Sequence, residues 1–116
     1  MDFVHRGFLC STRVVPSLGC VNGYLSVPNG HPWHGKYYVD ADVHGGLTYA
    51  ADRVPIEPHP QAIGDEWVLG FDTAHAGDFV PKLPFSRRGD DREWSEDDVS
   101  KELRKLADQA ASATNK

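Results

Sequence analysis

The sequence is short of several things, and each shortage narrows its reading. Only two cysteines, Cys10 and Cys20, occur in 116 residues. A disulfide framework needs more, so both are expected as free, partly buried thiols, although a hairpin could bring them face to face. No apolar run approaches the roughly 18 residues of a membrane span. The first ten residues lack a basic stretch followed by a long apolar one, so no secretory signal is expected and the location is read as cytoplasmic. Basic side chains are scarce in the first two thirds of the chain. Residues 1–80 hold 4 Lys and Arg against 9 Asp and Glu, whereas residues 81–116 hold 8 of each, so the whole net charge of -5 falls in the first part. Nucleic-acid binding usually needs a basic face, and direct binding of DNA or RNA is not expected. A bare anion would also be repelled there unless a cation or a nearby arginine came with it.

What is present suits one folded domain. The apolar share is 40% and the charged share 25%, a globular balance. Gly7 to Val15 and Val21 to Val27 are rich in β-formers and flank the turn signal Pro16-Ser17-Leu18-Gly19, which predicts a β-hairpin. Asn29 to Lys36 reads as a loop. Val39 to Val43 and Leu47 to Ala50 flank Gly45-Gly46 and read as short strands, or as one strand with a glycine bulge. Ala51 to Gly64 carries Pro55, Pro58 and Pro60 and is expected to be an extended surface loop. Glu66 to Asp72 is the central-strand candidate, and Asp72 to Asp78 a turn. The last element is a helix. Ser95 is its N-cap, acidic residues fill its first turn, and Val99, Leu103, Leu106 and Ala110 share one face. The expected fold is α+β: a small antiparallel sheet of about four strands, with loops carrying the motifs and a C-terminal helix packed on the sheet. Residues 1–80 would form the β-rich core, 81–94 a linker and 95–113 the helix of the same domain.

Three segments carry residues suited to chemistry. In Gly30-His31-Pro32-Trp33-His34-Gly35-Lys36, two histidines three apart could share a ligand, or cap backbone groups in a structured loop. In Val43-His44-Gly45-Gly46-Leu47-Thr48-Tyr49, an imidazole stands beside glycines whose amides could cradle an oxyanion, unless the glycines only form a bulge. In Gly70 to Asp78, Asp72, His75 and Asp78 stand three apart after a strand. Two carboxylates and an imidazole could hold a divalent cation or act as acid and base, or serve an Asx-turn. His5 and His59 read as surface histidines.

Together these strings, G-H-P-x-x-G-K, V-H-G-G-L-T-Y and G-F-D-x-A-H-x-G-D, resemble an uncharacterised family of small proteins from bacteriophages, prophages and some bacterial genomes. The family's usual stretches are G-Y-x-x-V-P-x-G-H-P-x-x-G-K, V-H-G-G-L-T and W-x-x-G-F-D-x-x-H-x-G-D. They fall here on Gly23 to Lys36, Val43 to Thr48 and Trp67 to Asp78, about half the chain. The resemblance implies a phage or prophage accessory protein acting in the host cell cytoplasm, and no particular activity. It implies that His31, Lys36, His44, Asp72, His75 and Asp78 belong to a shared pattern, with His34 at an open position.

Three functions compete on these residues. The leading one is a single His/Asp/Gly pocket for a small polar, nucleotide-like ligand, used in counter-defence against the host. His31, Lys36, Gly45, Gly46 and Thr48 would bind that ligand. The second is a metal-dependent hydrolase in which His44, Asp72, His75 and Asp78 hold a divalent cation, and His44, Asp72 and His75 carry the catalysis. The third is a host-protein inhibitor without pocket chemistry, using a surface of Trp33, Tyr37, Tyr38 and Trp94. A homo-oligomer is compatible with each.

Overall fold

The fold is described from a computed structural model covering residues 1–55, 61–62, 64–84 and 91–114. His59, Pro58, Pro60 and the middle of the 81–94 linker lie outside the described residues.

The predicted hairpin is the centre of the sheet. Strand β2, Phe8–Val14, pairs antiparallel with β3, Val21–Val27, in the register Cys10 with Leu25 and Val14 with Val21. This register keeps the cysteines apart, since Cys20 precedes β3 and lies opposite Val15. Both thiols are free and buried, and burial pushes Cys10 up to about 11.

A strand at the N-terminus, β1 (Asp2–His5), adds to β2 and was not expected from the sequence. Its turn is Arg6-Gly7, with φ of 56° and 83°. Two left-handed residues match the twist of a tight hairpin. Beyond β3 the sheet is completed by two later strands. After the three-residue β4 (Tyr49–Ala51) come the two-residue strands β5 (Arg53–Val54) and β6 (Gln61–Ala62), which pair with each other in a separate two-stranded sheet. Then β7, Trp67–Phe71, inserts between β3 and β4, as expected for the central-strand candidate. The main sheet therefore has five strands in the order β1-β2-β3-β7-β4, all antiparallel.

Helix α1, Glu96–Ala113, starts as its sequence requires. Ser95 caps it, and Asp98 returns the bond to complete a capping box. Val99, Leu103, Leu106, Ala107 and Ala110 are fully buried against Cys10, Leu25, Val27 and Phe71 of the sheet. Close approach is built in: a Cβ on Gly23 would lie 2.7 Å from the Phe71 ring and 3.0 Å from Val99. The opposite face carries a smaller cluster of Tyr24, Val54 and Val68, with Tyr49 against it. Among the described residues no helix is long and apolar enough to cross a membrane.

Three expectations between Val39 and Gly64 are corrected. Residues 39–43 form no strand, because helix side chains take the backbone groups a neighbouring strand would use. Gln109 accepts from the Asp42 amide and donates to its carbonyl, and Glu102 accepts from the His44 amide. Gly45-Gly46 is a turn rather than a bulge, with φ of 69° and 76° and the Gly46 amide bonded to the Val43 carbonyl. Ala51 to Gly64 is likewise not plain loop, since it contains the β5–β6 pair and the end of β4.

Candidate functional site

Two turns meet at the end of the sheet where β7 stops. The first, Asp72 to Asp78, is locked by its own polar groups. Asp72 Oδ1 accepts from the Ala74 amide, and Asp78 Oδ2 accepts from the His75 amide. The Asp78 amide in turn donates to the His75 carbonyl. Thr73 is fully buried and donates its hydroxyl to the Val21 carbonyl, which fixes the turn to β3. Residues just before α1 hold its far end, with the Arg92 amide on the Gly77 carbonyl and the Phe79 amide on the Arg92 carbonyl.

The second turn, Val43 to Thr48, is tied to β7 by the Thr48 amide on the Gly70 carbonyl. Glu102 of α1 holds the His44 amide. The His44 ring lies 4.4 Å from Trp94 and edge-on to His75 at 5.6 Å between centroids.

Asp78 is where the two turns converge. His44 Nε2 lies 3.0 and 2.9 Å from its two oxygens, and the Trp94 indole N–H donates to Oδ1 at 2.9 Å. His75 Nδ1 stands 3.6 Å from Oδ2 and 3.2 Å from Oδ1 of Asp72. That nitrogen is buried yet makes no hydrogen bond among the described residues, and Asp78 Oδ2 lies beyond hydrogen-bond distance of it. One ligand atom each from His44, His75 and Asp78 lies within 4.8 Å of the other two. The buried Asp78 side chain is nearly closed to solvent. Burial acts to raise its pKa, but hydrogen bonds from His44, the His75 amide and Trp94 outweigh that and hold the carboxyl below its usual range.

The glycine before this centre is required by shape as well as by backbone angle. A Cβ on Gly45 would fall 2.3 to 2.7 Å from three atoms of the His75 ring, whereas one on Gly46 would meet nothing within 4 Å. Thr48 donates its hydroxyl to Asp72 Oδ2 at 3.1 Å. Asp72 therefore stands behind His75, bonded to Thr48 and Ala74, and is outside the trio that converges. The glycine turn departs from the expected anion cradle, since the Gly46 amide is spent on Val43.

His31 and Lys36 are not brought to this centre. His31 is buried, with Nε2 against the Ala110 carbonyl at 2.8 Å and Nδ1 accepting from the Trp33 amide at 2.9 Å. One ring nitrogen docks the loop to the end of α1 and the other braces the loop itself. Lys36 is exposed, and its carbonyl accepts from the Trp67 indole. His34 points elsewhere, to the Asp65 carbonyl. His5 is held at the surface by Asp108.

Two contributors were missed by sequence reasoning. Trp94 was read as a surface aromatic but is buried on His44 and Asp78. Glu102 was one of many helix charges. Neither has a spacing relation to the motifs. The signal for Trp94 is only that a tryptophan precedes the Ser95 cap.

A groove of about 510 Å³ adjoins the second turn, lined in part by Tyr37, Tyr38, Asp40, Gly45, Gly46 and Thr48. A smaller cavity of about 270 Å³ lies against His75, Gly77, Asp78 and Asp91. No family model, no curated protein and no solved structure matches this chain.

Proposed function

We propose that His44, His75 and Asp78 bind one divalent transition-metal ion, and that the protein acts through it as a metal-dependent hydrolase on a small polar substrate. The carrying observation is the convergence of one ligand atom each from His44, His75 and Asp78 within 4.8 Å, and among the described residues His75 Nδ1 is buried without a hydrogen bond. Two imidazoles and one carboxylate suit zinc and its neighbours better than calcium or magnesium. Three protein ligands leave a coordination position open, the pattern of catalytic rather than structural zinc sites. The cation would supply Lewis acidity and a water made acidic near neutral pH.

The chain's own residues have distinct tasks. Trp94 orients Asp78 through its indole N–H, and Glu102 fixes the backbone at His44. Asp72 Oδ1 lies 3.2 Å from His75 Nδ1 and is the carboxylate placed to accept a proton beside the ion. The acidic balance of residues 1–80 favours a cation here over an unaided anion. The three motif strings support a place among phage and prophage accessory proteins, where hydrolysis or capture of a small host signal would serve counter-defence.

The adjoining groove supports a second reading, in which a small polar ligand is bound without turnover. One set of measurements separates the two. Protein purified without chelator is analysed for metals and titrated with Zn²⁺ by calorimetry. One equivalent is expected, with affinity reduced by more than about 100-fold in His44→Ala and His75→Ala, beyond what outer-shell changes achieve. Absence of stoichiometric metal, with folding and ligand binding unchanged by chelator, would sink the metal reading and leave the binding one.

A further inference from the structure

The groove beside the second turn has a chemical polarity of its own. One wall is the turn itself, where the Gly45 and Leu47 amides have no acceptor among the described residues. The other wall is the segment after the His31 loop. It presents Asp40, an exposed carboxylate with no ion-pair partner among the described residues, and the rings of Tyr37 and Tyr38, which are 80% and 92% exposed. Tyr37 is held edge-on against Trp67, with centroids 5.2 Å apart. No lysine or arginine among the described residues lines the groove. Arg53 pairs with Asp52, and Lys105, which lines a neighbouring groove with Asp40, pairs with Asp42 and Glu102.

Free amides want a hydrogen-bond acceptor. A carboxylate with no ion-pair partner among the described residues, in a groove also lined by two tyrosines, suits a cation. A phosphate fits the first wall and is repelled at the second. We infer that this groove binds an amide that bears a cationic side chain, its carbonyl toward Gly45 and Leu47 and its positive group between Asp40 and the Tyr37 and Tyr38 rings. As the substrate class of the metal centre, the inference rests on the proposed function. As a binding site, it stands without metal, because no groove residue belongs to the His44, His75 and Asp78 trio.

The test uses the full chain in chelator at low ionic strength. Nα-acetyl-arginine amide is titrated by two-dimensional amide NMR, beside its neutral isostere Nα-acetyl-citrulline amide and inorganic phosphate. Saturable shifts at Gly45, Gly46 and Leu47 are expected for the arginine probe, with the citrulline probe about tenfold weaker, the sum of one exposed ion pair and one cation–aromatic contact. Asp40→Asn should erase that preference while keeping the spectrum of the folded protein and its zinc stoichiometry. Equal binding of the two amides, no saturable shift for either, or competition by phosphate at the same amides overturns the inference. Zinc binding in Asp40→Asn reports separately on the metal centre, so the two readings can fail independently.

Discussion

His31 and His44 each stand beside glycine in a short loop, and the fold employs them in opposite ways. His31 lies under the end of α1 with both ring nitrogens on backbone groups and its edges on Phe8 and Trp33. His44 keeps one nitrogen on a carboxylate at a centre bordered by two cavities. A histidine saturated by backbone is a structural part. A histidine aimed at a carboxylate and a second imidazole is available for a ligand. The distinction comes from the partners, and the flanking sequence does not show it.

The largest expected effect tests that contrast directly. His31→Ala leaves the Ala110 carbonyl and the Trp33 amide without partners and opens a gap beside Phe8. Thermal or denaturant unfolding should show a loss of about 2–4 kcal/mol, the cost of a cavity plus unsatisfied buried groups. Its zinc affinity should match the parent's. His44→Ala should do the reverse, losing metal with a smaller loss of stability in chelator. Equal damage to metal binding from both variants would erase the comparison.

A finer contrast lies within one turn. Gly45→Ala forces a left-handed residue and a clash with the His75 ring, so about 1–2 kcal/mol of backbone strain comes with displacement of a ligand. Zinc affinity should fall about 10- to 100-fold, as when outer-shell support is lost. Gly46→Ala carries the same kind of strain with nothing to displace, and calorimetry should find its zinc affinity unchanged. A Gly46 variant as impaired as the Gly45 one would show that turn geometry alone is at stake.

The smallest effect concerns acid. Asp78 is held below its ordinary pKa in the folded protein, whereas in the unfolded chain it should titrate near about 3.9. The unfolded state therefore binds the proton more readily. The carboxylate's contribution is full above that unfolded value and is lost as pH falls below about 4 toward the folded value. Trp94→Phe keeps the ring against His44 and removes one bond to Asp78. It should cost about 1 kcal/mol at pH 7, and the difference from the parent should shrink on acidification through that window. A constant difference from pH 7 to pH 2 would mean that Trp94 acts only by packing.

Much of the fold was legible because it follows from local chemistry. The Ser95 cap, the stripe of Val99, Leu103, Leu106 and Ala110, the hairpin around Pro16 to Gly19, and the Glu66 to Asp72 strand need only periodicity and turn preference to be read. The segment 39–43 was misread because Gln109 and Glu102, over 50 residues away, supply its hydrogen bonds. β1 was missed although Arg6-Gly7 marks its turn, because four residues are too few for a periodic signal. At the site, the turn from Asp72 to Asp78 was legible as a polar cluster after a strand. Its separation into a ligand trio and a supporting Asp72 was not.

By itself, then, the sequence determined the antiparallel hairpin, the capped helix, the acidic field and the three polar turns, since each is set by residues within a few positions of one another. The tertiary structure alone decided that His44 and not His31 faces Asp78, that Trp94 is the buried donor behind that carboxylate, and that Gly45 is the glycine the His75 ring needs. Those outcomes depend on contacts between segments 16 to 79 residues apart, where no local periodicity carries information and only the packing of α1 on the sheet fixes the distance.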